Sequence, residues 1–171
     1  VALKKVQIFD MLDAKARDRC LKEGHLLKSL PAHPSIIQYL DSFIDSNELY
    51  IVFEWAEHGD LRRLLRRASE SKTSLQEPQV WRYFVQVCDG IRHMHEARVM
   101  HRDIKPANIL VRHDGEPKVL DFGIARLVTT DGTSSRSHTM TGEILGTLAY
   151  MSPEQLQADH DAIDIRTDVY A

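Results

Sequence analysis

Three polar clusters lie close together in the stretch from Val99 to Gly123, which reads VMHRDIKPANILVRHDGEPKVLDFG. They are the run His101-Arg102-Asp103, the pair Lys105 and Asn108, and the run Asp121-Phe122-Gly123. Carboxylate and amide oxygens from a few side chains suit Mg²⁺ when phosphate oxygens complete its coordination shell. If the chain brings these clusters together, the chemistry that they favour is binding of a phosphate ligand through magnesium.

The segments between the clusters are of the kind that would bring them together. Two short apolar runs, 109–111 and 118–120, flank the pair Asp114-Gly115, and this pattern predicts a hairpin turn. A hairpin here would fold Asp121 back toward Asp103 and Asn108, so that three oxygen ligands share one small volume. The alternative is a charged surface loop that contains the same letters.

The motif HRDIKPAN followed by DFG resembles the catalytic loop and the metal-binding loop of protein kinases. The resemblance covers nearly the whole chain in order. It implies an α+β, protein-kinase-like bilobal fold that is incomplete, with part of the β-rich small lobe and the first half of the helical large lobe. Residues 1–56 would form the partial small lobe and hinge, from the β3 strand, and residues 57–171 the partial large lobe through the activation segment.

Different stretches of the chain resemble two subfamilies of kinases. The stretches VALKKVQIFDMLDAKAR and NELYIVFEWAEHGDL are similar to NIMA-related (Nek) kinases, and ILVRHDGEPKVLDFGIARL and GTLAYMSPEQ to bacterial-type serine/threonine kinases. The resemblance implies a cytoplasmic protein, with nuclear or cytoskeletal association if it is Nek-like, and an activating partner protein. It implies neither nucleic-acid binding nor a membrane segment.

The resemblance also implies a site for ATP, and the residues that match its ATP-binding positions are Ala2, Lys4, Glu23, Glu54, Ala56, Asp60 and Leu110. Lys4 would contact the α- and β-phosphates and would be held by an ion pair with Glu23. Ala2 would lie against the adenine, and backbone groups of Glu54 and Ala56 would bond to its edge. Taken without the motifs, Lys4 and Glu23 would be interpreted as solvated surface residues.

The catalytic roles follow from the same resemblance. Asp103 would accept the proton of a serine or threonine hydroxyl on a protein substrate, and Lys105 would steady the γ-phosphate. Asn108 and Asp121 would hold Mg²⁺, and Thr147 would bond to Asp103 and Lys105 as in serine/threonine kinases. The alternatives are a pseudokinase or scaffold that binds nucleotide or partners without transfer, and a small-molecule phosphotransferase, which the motif GTLAYMSPE disfavours.

Residues 127–143 are rich in Thr, Ser and Gly, have no periodicity and match the kinase activation loop in position. Thr139 and Thr141 are the candidate phosphosites, and a phosphate there could pair with Arg102 and order the loop. For any single hydroxyl, an unmodified polar loop is the favoured interpretation. Asp168 matches the kinase aspartate that supports the catalytic-loop backbone.

The remaining patterns predict secondary structure. Residues 1–7 predict a strand, 13–30 a helix, and 36–43 and 49–55 two further strands. Ser74 and Glu77 form a capping-box pattern. The helix that would follow carries an apolar stripe assigned to the core: Val80, Phe84, Val87, Ile91 and Met94.

A basic helix, LRRLLRR, follows Gly59-Asp60. Its four arginines favour a solvated helix face, and the sharper alternative is a docking surface for an acidic substrate.

The composition is that of an ordinary globular protein, with 171 residues, 43% of them hydrophobic and 27% charged. The net charge of −3 gives no reason to propose a nucleic acid or an anionic membrane as partner. Cys20 and Cys88 fall within helical patterns and are predicted to be buried free thiols. His93 and His95 are interpreted as helix-surface residues.

The chain starts at Val1 within a strand-like run and ends at Ala171 within another element, which predicts an excerpt from a longer protein. The Gly-rich loop that kinases carry before the β3 lysine does not occur in it. We therefore expect the isolated 171-residue chain to be poorly stable and nearly inactive. Thermal denaturation and ATP turnover test this, and a cooperative transition together with clear turnover would contradict it.

Overall fold

The computed structural model describes residues 1–7, 28–46, 48–120, 148–159 and 162–171. The strands within these ranges are β1 (Ala2–Gln7), β2 (Tyr39–Asp45), β3 (Glu48–Phe53), β4 (Ile109–Val111) and β5 (Pro117–Val119). The helices are α1 (Leu61–Glu70), α2 (Glu77–Glu96), α3 (Pro153–Leu156) and α4 (Arg166–Tyr170), with a 3-10 helix at Pro106–Asn108. The predicted α+β class is confirmed. None of the helices within these ranges is long and apolar enough to cross a membrane.

The first three strands form an antiparallel sheet in the order β1-β3-β2. β3 alternates buried and half-buried residues, which is the pattern of a strand with one face on the core. Ala2 of β1 lies opposite Phe53 and Lys4 lies opposite Ile51, so both residues point to the buried face. Lys5 pairs with Glu48 at 2.7 Å. The predicted strand 1–7 and the alternation of its side chains are confirmed.

The bounds predicted for the next two strands were partly wrong. β2 begins at Tyr39, because the residues before it pair with β5 instead of β3. Val119 donates its amide to the Ser35 carbonyl at 2.8 Å, and Ile37 donates to the Val119 carbonyl at 2.9 Å. β3 ends at Phe53 rather than at residue 55. Of the helix predicted over 13–30, residues 13–27 lie outside the described residues, and residues 28 and 29 are helical.

The predicted hairpin around Asp114-Gly115 is confirmed. β4 and β5 pair antiparallel, with Ile109 opposite Val119. Gly115 has φ +79°, a left-handed conformation that glycine adopts without the steric cost of a Cβ atom. The Arg112 amide donates to the Glu116 carbonyl at 3.0 Å and closes the turn.

One apolar core joins the sheet, the hairpin and α2. Its fully buried members come from residues on both sides of the predicted lobe boundary at 56 and 57: Ile36, Ile37, Leu49, Ile51, Phe53, Ala56, Met94, Ile109 and Val119. The backbone bonds between residues 35–37 and Val119 cross the same boundary. The division of the chain into 1–56 and 57–171 stays a prediction.

The predicted capping box at Ser74 and Glu77 was wrong. Gln76 is the N-cap residue of α2, and its carbonyl accepts the Val80 amide at 3.1 Å. A helix capped by Ser74 would need an amide hydrogen on Pro78 to bond the Ser74 carbonyl, and proline has none. Proline is tolerated only in the first turn, so Pro78 moves the start of the helix to Glu77.

The apolar stripe of α2 is buried only toward its C-terminal end. Met94 is fully buried, whereas Val80 and Phe84 are 49% and 58% exposed, so their assignment to the core was wrong. Cys88 is exposed, contrary to the prediction of a buried thiol, and Cys20 lies outside the described residues. The buried end of the helix is the end that approaches residues 35 and 36.

At Gly90, α2 lies close to the segment before β2. A Cβ atom added there would lie 3.2 Å from the Ser35 carbonyl oxygen and 3.4 Å from Ile36 Cγ1. We expect Gly90→Val to lower the free energy of unfolding by about 1–3 kcal/mol, because the extra carbons must push backbone atoms aside. Urea denaturation of the complete protein measures the change.

The control for this prediction is Cys88→Val, which adds a β-branched side chain at an exposed position of the same helix. We expect it to change the free energy of unfolding by no more than about 0.5 kcal/mol. Equal stability of the two variants would show that α2 does not pack tightly at Gly90.

Candidate active site

Asp103 is the centre of a polar cluster in the loop that links α2 to the hairpin. Asn108 Nδ2 donates to Asp103 Oδ2 at 2.9 Å and to the Asp103 carbonyl at 2.7 Å. Lys105 Nζ lies 2.8 Å from the same Asp103 Oδ2. The structure therefore brings together three of the four residues predicted to be catalytic, and two separate side chains orient the carboxylate.

The orientation of the Asn108 amide follows from its partners. Both are oxygen acceptors, so only the amide nitrogen can make these two bonds, and the Oδ1 oxygen faces away from Asp103. An amide oxygen held in this way suits a hard cation such as Mg²⁺. Among the described residues no group of three or more His, Cys, Asp or Glu could hold a metal ion by itself. Asp121, the second predicted ligand, lies outside the described residues.

The hairpin brings the chain back to this cluster at Leu120, the residue before Asp121. The Leu120 amide donates to the Asn108 carbonyl at 2.8 Å. His101, which is fully buried, approaches the Leu120 carbonyl with Nε2 at 2.8 Å. His101 Nδ1 accepts a hydrogen bond from the Asp103 amide at 3.2 Å. The ring hydrogen is therefore on Nε2, which donates a hydrogen bond to the Leu120 carbonyl. The two ends of the segment 101–120 are thereby held side by side.

Asp168 of α4 holds the backbone of the catalytic loop through hydrogen bonds. Its Oδ2 accepts the His101 amide at 2.8 Å, and its Oδ1 accepts the Arg102 amide at 2.6 Å. His95 Nε2 lies 2.9 Å from Oδ2, with only 15% of the His95 side chain exposed. The interpretation of His95 as a helix-surface residue was therefore wrong, and the support predicted for Asp168 is confirmed.

Arg102 has φ +66°, an unfavourable conformation for a residue with a Cβ atom. Besides the bond from its amide to Asp168, its carbonyl accepts the side-chain amide of Gln155 at 2.8 Å. Gln155 also accepts the Ser152 amide at 3.1 Å. The sequence analysis missed Gln155, although the S-x-x-Q pattern at Ser152 is itself a capping-box signal.

A neighbouring bond holds Ser152-Pro153-Glu154, the segment that contains the start of α3, against α4. The Thr167 hydroxyl donates to Glu154 Oε1 at 2.6 Å. This bond is the main reason that the pKa of Glu154 lies below its ordinary value. Near neutral pH Glu154 is therefore a carboxylate that links α3 to α4, the helix that carries Asp168.

The residues predicted for the ATP phosphates and adenine lie around the buried face of the first sheet. Ala2 and Leu110 both pack against the apolar core, one from β1 and one from β4. Lys4 is half-buried on the same face of β1 as Ala2. Its predicted partner Glu23 lies outside the described residues. The sheet and the hairpin thus place Ala2 and Leu110 on one continuous apolar cluster, with Lys4 beside it.

The predicted hinge residues follow β3 directly. The Glu54 amide donates to the Gln38 carbonyl at 3.0 Å, so the adenine contact predicted for Glu54 would have to use its carbonyl group. Ala56 is buried in the core. Asp60 caps α1, with its Oδ1 accepting the Arg63 amide at 2.7 Å. The ATP contact that the resemblance implies for Asp60 would then be shared with a structural role in the helix.

Lys118 of β5 was not singled out in the sequence, yet it forms a buried ion pair with the hinge. Its Nζ lies 2.6 Å from Glu54 Oε1, and only 8% of the Lys118 side chain is exposed. The same Glu54 oxygen accepts the Gln38 amide at 2.9 Å. A single lysine within the apolar run 117–120 was the available signal, because a charge in such a run must find a partner when it is buried.

The protein kinase domain family matches residues 1–171. The chain belongs to the protein kinase family. Thr147 and the candidate phosphosites Thr139 and Thr141 of this kinase domain lie outside the described residues, so their positions stay predictions. The roles of the remaining predicted site residues stay predictions as well.

Named relatives of this kinase domain come from both groups that the sequence resembles. Serine/threonine-protein kinase Nek1 of Mus musculus is 37% identical over 153 residues, which cover 89% of this chain and 12% of Nek1. Serine/threonine-protein kinase nekl-2 of Caenorhabditis elegans is 38% identical over 160 residues, which cover 90% of this chain and 42% of nekl-2. A probable serine/threonine-protein kinase of Corynebacterium efficiens is 37% identical over 175 residues, covering 100% and 25%. The chain therefore spans less than half the length of each relative.

The ion pair between Lys118 and Glu54 should contribute strongly to the stability of the kinase domain. We expect Lys118→Met to lower the free energy of unfolding by roughly 3 kcal/mol, because it leaves the Glu54 carboxylate without its cation in a largely buried place. This is the lower end of the usual cost, since 24% of the Glu54 side chain is exposed. Chemical denaturation of the complete protein gives the value.

Arg112→Met is the matched control, because Arg112 lies in the same hairpin and pairs with Asp114 at 3.5 Å with both side chains nearly half exposed. Exposed pairs of this kind contribute no more than about 1 kcal/mol. A loss for Lys118→Met as small as that for Arg112→Met would show that the hinge pair is not important for stability.

Proposed function

We propose that this kinase domain transfers the γ-phosphoryl group of ATP to serine or threonine hydroxyls of protein substrates. The observation that carries the proposal is the Asp103 carboxylate held by Asn108 Nδ2 and Lys105 Nζ in one half-buried cluster. Phosphoryl transfer needs placement and charge neutralisation more than covalent chemistry. A preorganised carboxylate beside a lysine and an amide supplies both.

In this proposal Asp103 accepts the proton of the attacking hydroxyl and orients its oxygen toward phosphorus. Lys105 holds Asp103 before substrate arrives and contacts the γ-phosphate when it is bound. Asn108 holds the backbone and the carboxylate of Asp103 through Nδ2 and offers Oδ1 to the metal. Because Asp168 and Gln155 hold the backbone at Arg102, little reorganisation is needed when substrate binds.

Binding of the nucleotide is assigned mainly to residues outside the cluster of Asp103, Lys105 and Asn108. Lys4, paired with Glu23, positions the α- and β-phosphates, and Ala2 and Leu110 contact the two faces of the adenine. The Glu54 carbonyl and the Ala56 backbone bond the adenine edge. Magnesium, held by Asn108 and Asp121, supplies neutralisation of phosphate charge. The support for this part is the shared apolar cluster below Ala2 and Leu110 and the family membership.

Selection of serine and threonine substrates and control of activity are also proposals. Thr147 bonds Asp103 and Lys105, and phosphorylation of Thr139 or Thr141 orders the activation segment by pairing with Arg102. Support for the class of acceptor comes from the printed names of relatives, such as the serine/threonine-protein kinase Nek1. An activating partner protein and a cytoplasmic location, with nuclear or cytoskeletal association if the protein is Nek-like, are proposed on the resemblance to kinases.

The test is incorporation of labelled phosphate from Mg·ATP into a basic protein substrate by the complete protein and by its Asp103→Asn variant. Asparagine keeps the size of aspartate and cannot accept the proton. We expect kcat to fall by at least about 100-fold, because general-base catalysis contributes that much. The affinity for Mg·ATP should stay within a few-fold, since the variant leaves Lys4 and the hinge intact.

Asp41→Asn makes the same chemical change at an exposed position of β2 and should leave incorporation unchanged. Equal incorporation by wild type and Asp103→Asn would exclude Asp103 as the base. Binding of Mg·ATP by the wild type without any incorporation would favour a scaffold that binds nucleotide without transfer. Transfer to small alcohols but not to protein would favour a small-molecule phosphotransferase.

A further inference from the structure

Helix α1 has two chemically different faces. With about 100° per residue, Leu61, Leu64 and Ala68 fall on one side, and these residues are half-buried. The opposite side carries four exposed arginines within six residues: Arg62, Arg63, Arg66 and Arg67. They cover an arc of about 140° on which no apolar or aromatic residue lies. We call this surface the α1 arginine face.

Among the described residues, most of the arginines on the α1 arginine face have no acidic partner. Only Arg66 has an acidic partner among the described residues, Glu70 at 3.6 Å, and both side chains are about two-thirds exposed. Elsewhere, Arg82, Arg92, Arg112 and Arg166 each pair with a carboxylate, whereas Arg98 has no acidic partner among the described residues. The contrast is informative because the chain as a whole carries more acidic than basic residues, 25 against 22. Three guanidinium groups on one helix face, with no acidic partner in the part of the chain that the structure describes, are available for an anionic ligand.

Helix α1 is close in the chain and in space to the catalytic loop, and its arginine face lies on the side of the helix that points away from this contact. The inner side of α1 contacts the 3-10 helix Pro106–Asn108 and β4. The residue before α1, Asp60, forms a bridge with Leu110, and the Gly59 carbonyl accepts the Val111 amide at 2.9 Å. The 3-10 helix is the segment that positions Asn108 beside Asp103. A chain bound along the arginine face would therefore lie about one helix diameter, roughly 10 Å, from the segment that positions Asn108.

We infer that the α1 arginine face docks an acidic segment of the protein substrate, an extended stretch with Asp or Glu at alternate positions. The inference rests on the proposed function, and it adds a substrate class to it. Arg62 and Arg66, like Arg63 and Arg67, are one helical turn apart, about 6 Å between Cβ atoms. Alternate side chains of an extended peptide are spaced about 7 Å apart. The planar guanidinium fork matches a carboxylate with two parallel hydrogen bonds.

The chemistry of the face favours an acidic polypeptide over other anionic partners. Single-stranded nucleic acids bind on surfaces that combine positive charge with aromatic side chains for base stacking, and the arginine arc has none. Helices that bind anionic membranes place apolar residues beside the basic ones so that they enter the lipid. In α1, Leu61 packs against the core and Leu64 and Ala68 are half-buried. Leu65, which is 42% exposed, lies outside the arginine arc, so only one exposed apolar side chain of the helix accompanies the arginines.

The first experiment measures binding without catalysis. A fluorescent peptide with Glu at alternate positions and no hydroxyl residue is titrated with the complete protein, beside the same peptide with Gln in place of Glu. We expect the Glu peptide to bind at least about tenfold tighter, with affinity that falls as salt rises. Arg62→Gln/Arg66→Gln should weaken its binding about tenfold, since each exposed charge pair contributes modestly. Glutamine forms helices well, so the fold of α1 is kept.

The control variant is Arg92→Gln/Arg112→Gln, which removes the same two charges from arginines that already have acidic partners. It should bind the Glu peptide within twofold of wild type. Equal binding by wild type and Arg62→Gln/Arg66→Gln, or an equal loss in the control, would overturn the docking surface. Tighter binding of single-stranded RNA, or of phosphatidylserine vesicles, through Arg62 and Arg66 would also overturn it.

The second experiment joins the acidic segment to a serine-containing acceptor peptide. The segment should lower KM about tenfold in the wild type and have no effect in Arg62→Gln/Arg66→Gln, while kcat for the acceptor without the segment is equal in both. Binding of the acidic peptide through α1 without any phosphorylation would contradict the proposed function and leave the docking surface supported. Phosphorylation of the acceptor peptide with no effect of the acidic segment on KM would support the proposed function and contradict the docking surface.

Discussion

The Asp168 carboxylate is the interaction on which the arrangement of the catalytic loop depends. Only 1% of its side chain is exposed, and a buried carboxylate is unfavourable unless its oxygens are hydrogen-bonded. The amides of His101 and Arg102 and the Nε2 atom of His95 meet this requirement. These bonds also hold Arg102 in a left-handed conformation that it would not adopt by itself. One acidic residue of α4 therefore organises the loop that presents Asp103.

The hairpin β4–β5 connects the catalytic loop to the rest of the described domain. At one end, Leu120 bonds to both His101 and Asn108, which closes the catalytic loop. In its second strand, Val119 pairs with residues 35 and 37, and Lys118 reaches the hinge at Glu54. Through these contacts the three-stranded sheet and the catalytic loop share one core and one set of buried polar bonds. The geometry around Asp103 is consequently coupled to the position of the hinge.

Helix α1 shows how one element can serve packing and recognition with different faces. Leu61, Leu64 and Ala68 lie on its half-buried side, and the helix contacts the 3-10 helix and β4, while its arginines and Leu65 are exposed. The pattern LRRLLRR specifies both faces, because side chains three and four residues apart share a side of a helix. What the pattern does not state is which element lies beneath the leucines. That neighbour is the segment that carries Asn108, and this position makes the arginine face relevant to the proposed reaction.

The sequence alone determined the features that depend on residues close together in the chain. The hairpin at Asp114-Gly115, the strand 1–7 and the cluster of Asp103, Lys105 and Asn108 follow from local turn chemistry, alternation and a motif eight residues long.

The tertiary structure decided the features that depend on distant partners. Ser35 and Ile37 pair with Val119 rather than with β3, the half-buried His95 bonds to Asp168, and Lys118 pairs with Glu54 across 64 residues. Burial of a polar side chain is favourable only with such a partner, and no local pattern identifies one that lies so far along the chain.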